Sequence, residues 1–217
     1  MATESARARI DLGRIFMVPV AALMLTLDLT SLTHHLGGGV AGALGWLGAA
    51  GVCAFYLLII WCYLRRGPAV ATTRSVTAHV AAVVATFAPF AFPLLRTAAP
   101  PGTARQLAAD LLLLAGTAWS VWSLRFLGRN LSVLAQARDI VDHGPYRWIR
   151  HPLYAGEIVS GLGLAITAGS AAAAALWLTL CTLHGYRALR EEQVLLRALP
   201  GYRAYRARTA ALLPGIF

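Results

Sequence analysis

Four separate apolar segments, at about 15–33, 40–64, 76–95 and 107–124, precede a longer one from 153 to about 185. This succession constrains the chain more than any other feature. Each of the first four approaches the ~20 residues that a helix needs to cross the hydrocarbon core of a bilayer. Of the 217 residues, 58% are hydrophobic and 13% charged, against roughly 45–50% and about 25% in soluble domains. Mean hydropathy is +0.63. A disordered chain, a coiled coil and an ordinary soluble enzyme are thereby excluded. The expectation is an all-α, polytopic helical membrane protein with about 5–6 membrane segments.

The fifth segment is too long for one helix and short for two, and arginine placement decides between them. All 19 basic residues are Arg. With the N-terminus inside, the segments before residue 125 place Arg7, Arg9, Arg14, Arg65, Arg66 and Arg74 inside, and only Arg96 and Arg105 outside. Five more fall in the 125–152 loop and six after residue 185. The last six join the inside only if the fifth segment crosses an even number of times, so the positive-inside rule predicts a hairpin turning near Ala168-Gly169-Ser170. Each arm then holds ~15 residues, about 22 Å at 1.5 Å per residue. Residues 1–124 read as scaffold helices, and residues 125–217 as the half that carries any chemistry. The net charge of +10 is assigned to topology and to anionic lipid, with no nucleic-acid partner. The Arg-rich N-terminus reads as an uncleaved first span.

Cys53, Cys62 and Cys181 all lie in apolar stretches and read as small buried residues, with no metal site expected. The His34-His35 pair falls on an exterior loop. No GxGxxG follows a strand, and GxxxxGK[ST], GxSxG and HExxH are absent. Gly161 and Gly163 read as small residues for close helix packing.

The densest polar run is Asp142-His143-Gly144-Pro145-Tyr146-Arg147-Trp148-Ile149-Arg150-His151-Pro152-Leu153-Tyr154-Ala155-Gly156-Glu157. Gly144-Pro145 signals a turn, and Pro152 suits the first turn of a helix, where its missing N–H costs nothing. His151 then stands at a helix N-terminus, with Tyr154 and Glu157 on one face below it. Glu157 is carried into the membrane, where an ionisable group is a functional candidate by default. An interfacial aromatic–basic belt accounts for Arg147 and Trp148, but it needs neither His-Pro nor a buried acid. The second cluster runs from Arg187 through Glu191-Glu192 to Pro200-Gly201-Tyr202, Tyr205, Arg208 and Leu213-Pro214-Gly215. Composition alone favours a solvated, salt-bridged helix there, with Arg187 and Glu191 at i,i+4.

Together these runs resemble the isoprenylcysteine carboxyl methyltransferase family of membrane methyltransferases, related to the phospholipid methyltransferases. The likeness covers residues 120–217 and rests on Gly144–Gly156, Glu191-Glu192 and the Tyr202, Tyr205, Arg208, Pro214 tail, with Asn130-Leu131-Ser132 and Val141-Asp142-His143 upstream. It implies an integral membrane enzyme that uses S-adenosyl-L-methionine. By position, His151, Pro152, Tyr154 and Gly156 would line the cofactor pocket, closed by Glu191 and Glu192. Arg150 and Arg208 match family arginines near a reacting carboxylate, and Tyr146, Glu157 and Tyr205 are assigned to the acceptor. Pro200-Gly201 departs from the aromatic-glycine pair that the family often shows.

Chemistry fits the likeness. A carboxylate with a reference pKa of about 4 is ionised at pH 7 and needs no base to accept a methyl group, while arginines orient it through paired hydrogen bonds. The expected activity is therefore carboxyl O-methylation of a lipophilic, isoprenylcysteine-like or lipidated acceptor in contact with membrane lipid. The expected location is a bacterial inner membrane, with the site and the C-terminus cytoplasmic. Three rivals stand beside it: a phospholipid or amine N-methyltransferase, an NADPH-dependent sterol-type reductase sharing Arg-His-Pro-x-Tyr, and a non-catalytic scaffold or small transporter.

Overall fold

The structure is a computed structural model that describes residues 11–32, 39–99 and 101–212. Arg7, Arg9, the His34-His35 pair, Pro100 and the Leu213-Pro214-Gly215 end lie outside these residues. The long helices are α1 (Leu12–Leu32), α2 (Gly39–Arg65), α3 (Val76–Phe87), α4 (Thr103–Leu127), α5 (Pro152–Ala168) and α6 (Ala171–Ala198), and a short α7 (Tyr202–Ala207) follows. Two-residue strands β1 (Ala71–Thr72) and β2 (Gln136–Ala137) pair antiparallel. Among the described residues, four stretches are long and apolar enough to span a bilayer: Gly13–Thr30, Gly42–Arg65, Val76–Leu95 and Thr103–Asn130. They coincide with the four segments read from sequence. The third runs through α3 into a segment that holds Pro89 and Pro93. Proline lacks the N–H that an α-helix needs, so α3 tightens into a 3-10 helix over Ala88–Leu95.

The fifth segment is the predicted hairpin. Helix α5 ends at Ala168, and Gly169 takes a left-handed φ of 70° that a side chain would strain. Ser170 then caps α6, its hydroxyl accepting from the Ala173 N–H. The turn reaches the far end of the bundle: Thr97 N–H donates to Ala168 O at 2.9 Å and Ser170 Oγ to Leu95 O at 2.7 Å. The hairpin therefore runs the same depth as the α3 span beside it. Its 17-residue first arm is matched by the first turns of α6, so the end of α6 projects beyond the N-terminus of α5.

The polar ends gather on the opposite face. Arg14 donates to the carbonyls of Tyr63 and Arg66, and Arg66 Nε meets Asp11 Oδ2 at 2.6 Å. The β1–β2 pair ties the α2–α3 connection to the α4–α5 loop, reinforced by Arg138 on Gly67 O. The start of α1, both loops and the C-terminal tail thus share one face, as the arginine pattern required.

Close approach holds α5 on α4. A Cβ on Gly156 would lie 2.8 Å from Gly116 O, and one on Gly116 would lie 2.6 Å from Gly156 O. Gly163 meets Ala109 and Leu113 in the same way. In lipid, where tails compete with apolar side chains, such small-residue contacts carry helix association.

Candidate active site

The frame of the site is the N-terminus of α5. A 3-10 turn over Gly144–Arg147 delivers the chain to His151, which caps α5, and Pro152 fills the first helical position. The tail runs alongside. Arg150 N–H donates to Ala210 O at 2.8 Å, His151 N–H to Ala211 O at 3.0 Å, and Ala210 N–H to Trp148 O. Arg150 fastens this junction. Its Nε donates to Glu192 Oε1 at 2.6 Å, and its Nη1 to the carbonyls of Arg206 and Thr209. Glu192, on the projecting part of α6, also meets His151 Nε2 at 3.3 Å and Arg206 Nε at 3.0 Å. Burial pushes its carboxyl up, but the hydrogen bonds from His151 and Arg150 outweigh that and hold it near a pKa of about 2.

Below this frame lies a cavity of about 490 Å³, within the range of small-molecule sites. It has two chemically distinct ends. Met17, Met24, Phe55, Phe90 and Leu164 help to wall one end with apolar side chains from α1, α2, α5 and the 3-10 segment. Tyr146, His151, Tyr154, Glu157, His184, Arg187 and Glu191 face the other.

The polar end is a stack. His151 lies parallel on Tyr154, and Tyr154 is flanked by His184 at 5.2 Å between centroids and by the Arg187 guanidinium 4.7 Å from its ring. Tyr154 Oη donates to Glu191 Oε2 at 3.0 Å. Glu157 Oε2 approaches His184 Nδ1 at 3.5 Å. Four buried atoms here have no hydrogen-bond partner: Tyr146 Oη, Glu157 Oε2, His184 Nδ1 and Arg187 Nε. Buried polar atoms are satisfied almost everywhere in folded proteins, so a cluster of exceptions facing a cavity is what a ligand site leaves behind.

The sequence-selected residues divide into two groups. His151, Tyr154, Glu157, Glu191, Tyr146 and Arg150 all line the cavity. Glu192 lies directly behind His151 and Arg150, and Pro152 is buried with its carbonyl accepting from Trp119 Nε1 at 2.9 Å. Gly156 faces α4, at the close contact with Gly116. Tyr205 is buried in the tail, its hydroxyl donating to Tyr146 O at 2.7 Å. Arg208 is exposed and pairs with Asp142 at 2.7 Å, outside the cavity lining. Sequence reasoning missed His184 and put Arg187 on a solvated face; the structure buries both. Their signal was spacing, since residues 184, 187 and 191 fall on one face of a helix. It also missed the lining supplied by α1, α2 and α3.

Fold and site together define a polytopic α-helical membrane protein with a cavity that is polar on one face of the bilayer and apolar at depth. Residues 104–200 match the phospholipid methyltransferase family. Four solved chains match the fold. Among them is a eukaryotic intramembrane Ras methyltransferase, isoprenylcysteine carboxyl methyltransferase, with a TM-score of 0.57 at 22% identity over 93% of this chain and 77% of that one. No curated protein sequence matches significantly. The family match covers the α4–α6 part of the chain, and the structural likeness extends to the polytopic helical fold.

Proposed function

We propose that this protein is an S-adenosyl-L-methionine-dependent methyltransferase of the membrane, acting on a lipophilic acceptor at a carboxylate. One observation carries the reading: a single cavity joins the polar end, where a charged cofactor and an acceptor head can meet, to an apolar end at membrane depth.

The residues present fit the cofactor. Its ammonium and ribose hydroxyls need acceptors, and Glu191 turns a carboxylate to the cavity beside the stacked faces of His151 and Tyr154. Arg150 and Glu192 close this end by fixing the α5 cap against α6 and the tail. Pro152 and Gly156 set the position of the helix that carries Tyr154. When bound, S-adenosyl-L-methionine supplies a methyl group on a positively charged sulfur. Holding the reactants in line provides much of the rate gain in such a displacement. An ionised carboxylate would accept that methyl group without losing a proton, so the chain would need to supply no general base. Arg187, with Nε free, Nη2 on Val133 O and its plane on Tyr154, is pre-oriented to hold that carboxylate. Tyr146 offers its hydroxyl to the same chamber. Arg208 and Tyr205 act through the tail, by holding it over the α5 cap.

In this reading residues 125–217 hold the cofactor, and helices of the 1–124 half wall the acceptor's chain. The positive-inside rule supports a site and C-terminus on the cytoplasmic side, and in this reading the membrane is a bacterial inner membrane. The test is binding of S-adenosylhomocysteine and NADPH, side by side, to detergent-purified protein, followed by transfer of labelled methyl groups to lipophilic acids. Micromolar binding of S-adenosylhomocysteine and a base-labile product that releases methanol are expected. Binding of NADPH alone overturns the reading, and a base-stable product replaces the carboxylate with an amine.

A further inference from the structure

Glu157 is unusual even within this site. It sits one turn below Tyr154 on α5, in the part of the hairpin that lies within the membrane, and faces the cavity. Its one ion-pair neighbour among the described residues is His184, at 3.5 Å, and neither Glu157 Oε2 nor His184 Nδ1 makes a hydrogen bond. Arg187, the nearest permanent cation on the facing helix, spends its Nη2 on Val133 O and lies over the Tyr154 ring. A carboxylate at this depth is costly unless something compensates it. Helix packing does not require it, since the α4–α5 contact is made by Gly116, Gly156 and Gly163 on another side of α5.

We propose that Glu157 and His184 form a subsite for the protonated amino group of the acceptor, whose carboxylate is held by Arg187: the acceptor is a lipophilic α-amino acid with a free amine. This rests on the methyltransferase reading and narrows it. His184, which Glu157 approaches at 3.5 Å, and Arg187 both lie against the Tyr154 ring from successive turns of α6, about 5 Å apart along the helix axis. A zwitterionic head bridges such a gap with one charge-assisted hydrogen bond at each end. The amine is held protonated by Glu157, so it is no nucleophile, and the methyl goes to the carboxylate oxygen. The remaining substituent of the amino acid then extends into the apolar end, past Leu164 and Phe90.

The experiment measures equilibrium binding to the full chain in detergent, with and without saturating S-adenosylhomocysteine. Three probes share one S-geranyl chain: S-geranyl-cysteine with a free amine, its N-acetyl derivative, and 3-(geranylthio)propanoate, which has no nitrogen. The free-amine probe is expected to bind about 30-fold tighter than the nitrogen-free acid, the scale of a desolvated charge-assisted contact. Glu157→Gln should reduce that preference to within about threefold while leaving the nitrogen-free acid and S-adenosylhomocysteine unaffected. Equal affinities for the three probes, or tightest binding of the N-acetyl form, overturn the proposal. If Glu157→Gln fails to fold, the wild-type ranking and His184→Asn decide. Failure of S-adenosylhomocysteine to bind sinks the methyltransferase reading separately, because the probe ranking is also read without it.

Discussion

His151 and Tyr154 lie parallel, with ring planes 2° apart and centroids 5.4 Å apart, although one caps α5 and the other lies in its first turn. The stack aligns two adjacent acids of α6: His151 reaches Glu192 at 3.3 Å, and Tyr154 reaches Glu191 at 3.0 Å. One acid is drawn into the frame with Arg150, and the other is left facing the cavity. A Glu-Glu pair thus serves two purposes, since neighbouring positions on a helix point about 100° apart.

Glu192 makes the frame pH-dependent. Its carboxyl is held at about 2, against an ordinary value of 4.5. A folded value below the unfolded one contributes stability that is complete above pH 4.5 and is lost as pH falls toward 2. Glu192→Gln should cost about 2–3 kcal/mol at pH 7, because it leaves the Arg150 guanidinium buried without its counter-charge. Thermal unfolding in detergent checks this. The gap between wild type and variant should narrow as the pH is lowered from 6 to 3, and a gap that stays constant would remove Glu192 as the acid-sensitive group.

Gly156 is the tightest point of the α4–α5 contact. Gly156→Val should lower stability by about 1–3 kcal/mol or prevent folding, since the added atoms run into Gly116 O and Ser120. Ser120→Ala, across the same contact, removes a buried hydroxyl that has no partner and should be neutral or slightly stabilising. Thermal shift measurements on both variants separate a packing role for Gly156 from direct contact with a ligand. In the latter case Gly156→Val would fold normally and lose only binding.

Much of this architecture was legible in the sequence, because bilayer thickness and arginine placement are coarse constraints with few solutions. The four spans and the turn at Gly169 follow from them. The stacked His151, Tyr154 and Glu157 edge of the cavity follows from Pro152 fixing the helix start. The β1–β2 pair is two residues long and leaves no periodic trace. Arg187 was unreadable for another reason: at i,i+4 from Glu191 it has the pattern of a solvated ion pair, and only packing against Tyr154 turns it inward. Arg208 shows the converse. Its motif position suggests chemistry, while its side chain pairs with Asp142 in solvent.

The tail residues should therefore separate. Tyr205→Phe removes a buried hydrogen bond to Tyr146 O and should cost about 1 kcal/mol. Arg208→Ala breaks an exposed pair, which is worth little, and should leave the Kd for S-adenosylhomocysteine within about threefold. A loss of turnover above about 100-fold in Arg208→Ala, with binding intact, would move this arginine to the reacting carboxylate and require the tail to swing inward.

Tyr146 offers the sharpest separation of stability from binding. Its hydroxyl is buried and unpartnered at the edge of the cavity, while its backbone carbonyl is already taken by Tyr205. An unsatisfied buried hydroxyl costs about 1–3 kcal/mol, so Tyr146→Phe should make the ligand-free protein as stable as wild type or more so. If the hydroxyl is kept for a ligand, the same variant should weaken binding about 5–10-fold, the worth of one hydrogen bond. Melting curves with and without saturating S-adenosylhomocysteine, repeated with a lipophilic acid, show which ligand loses. A variant that gains stability and loses no affinity for either ligand would leave the hydroxyl without a role in binding them.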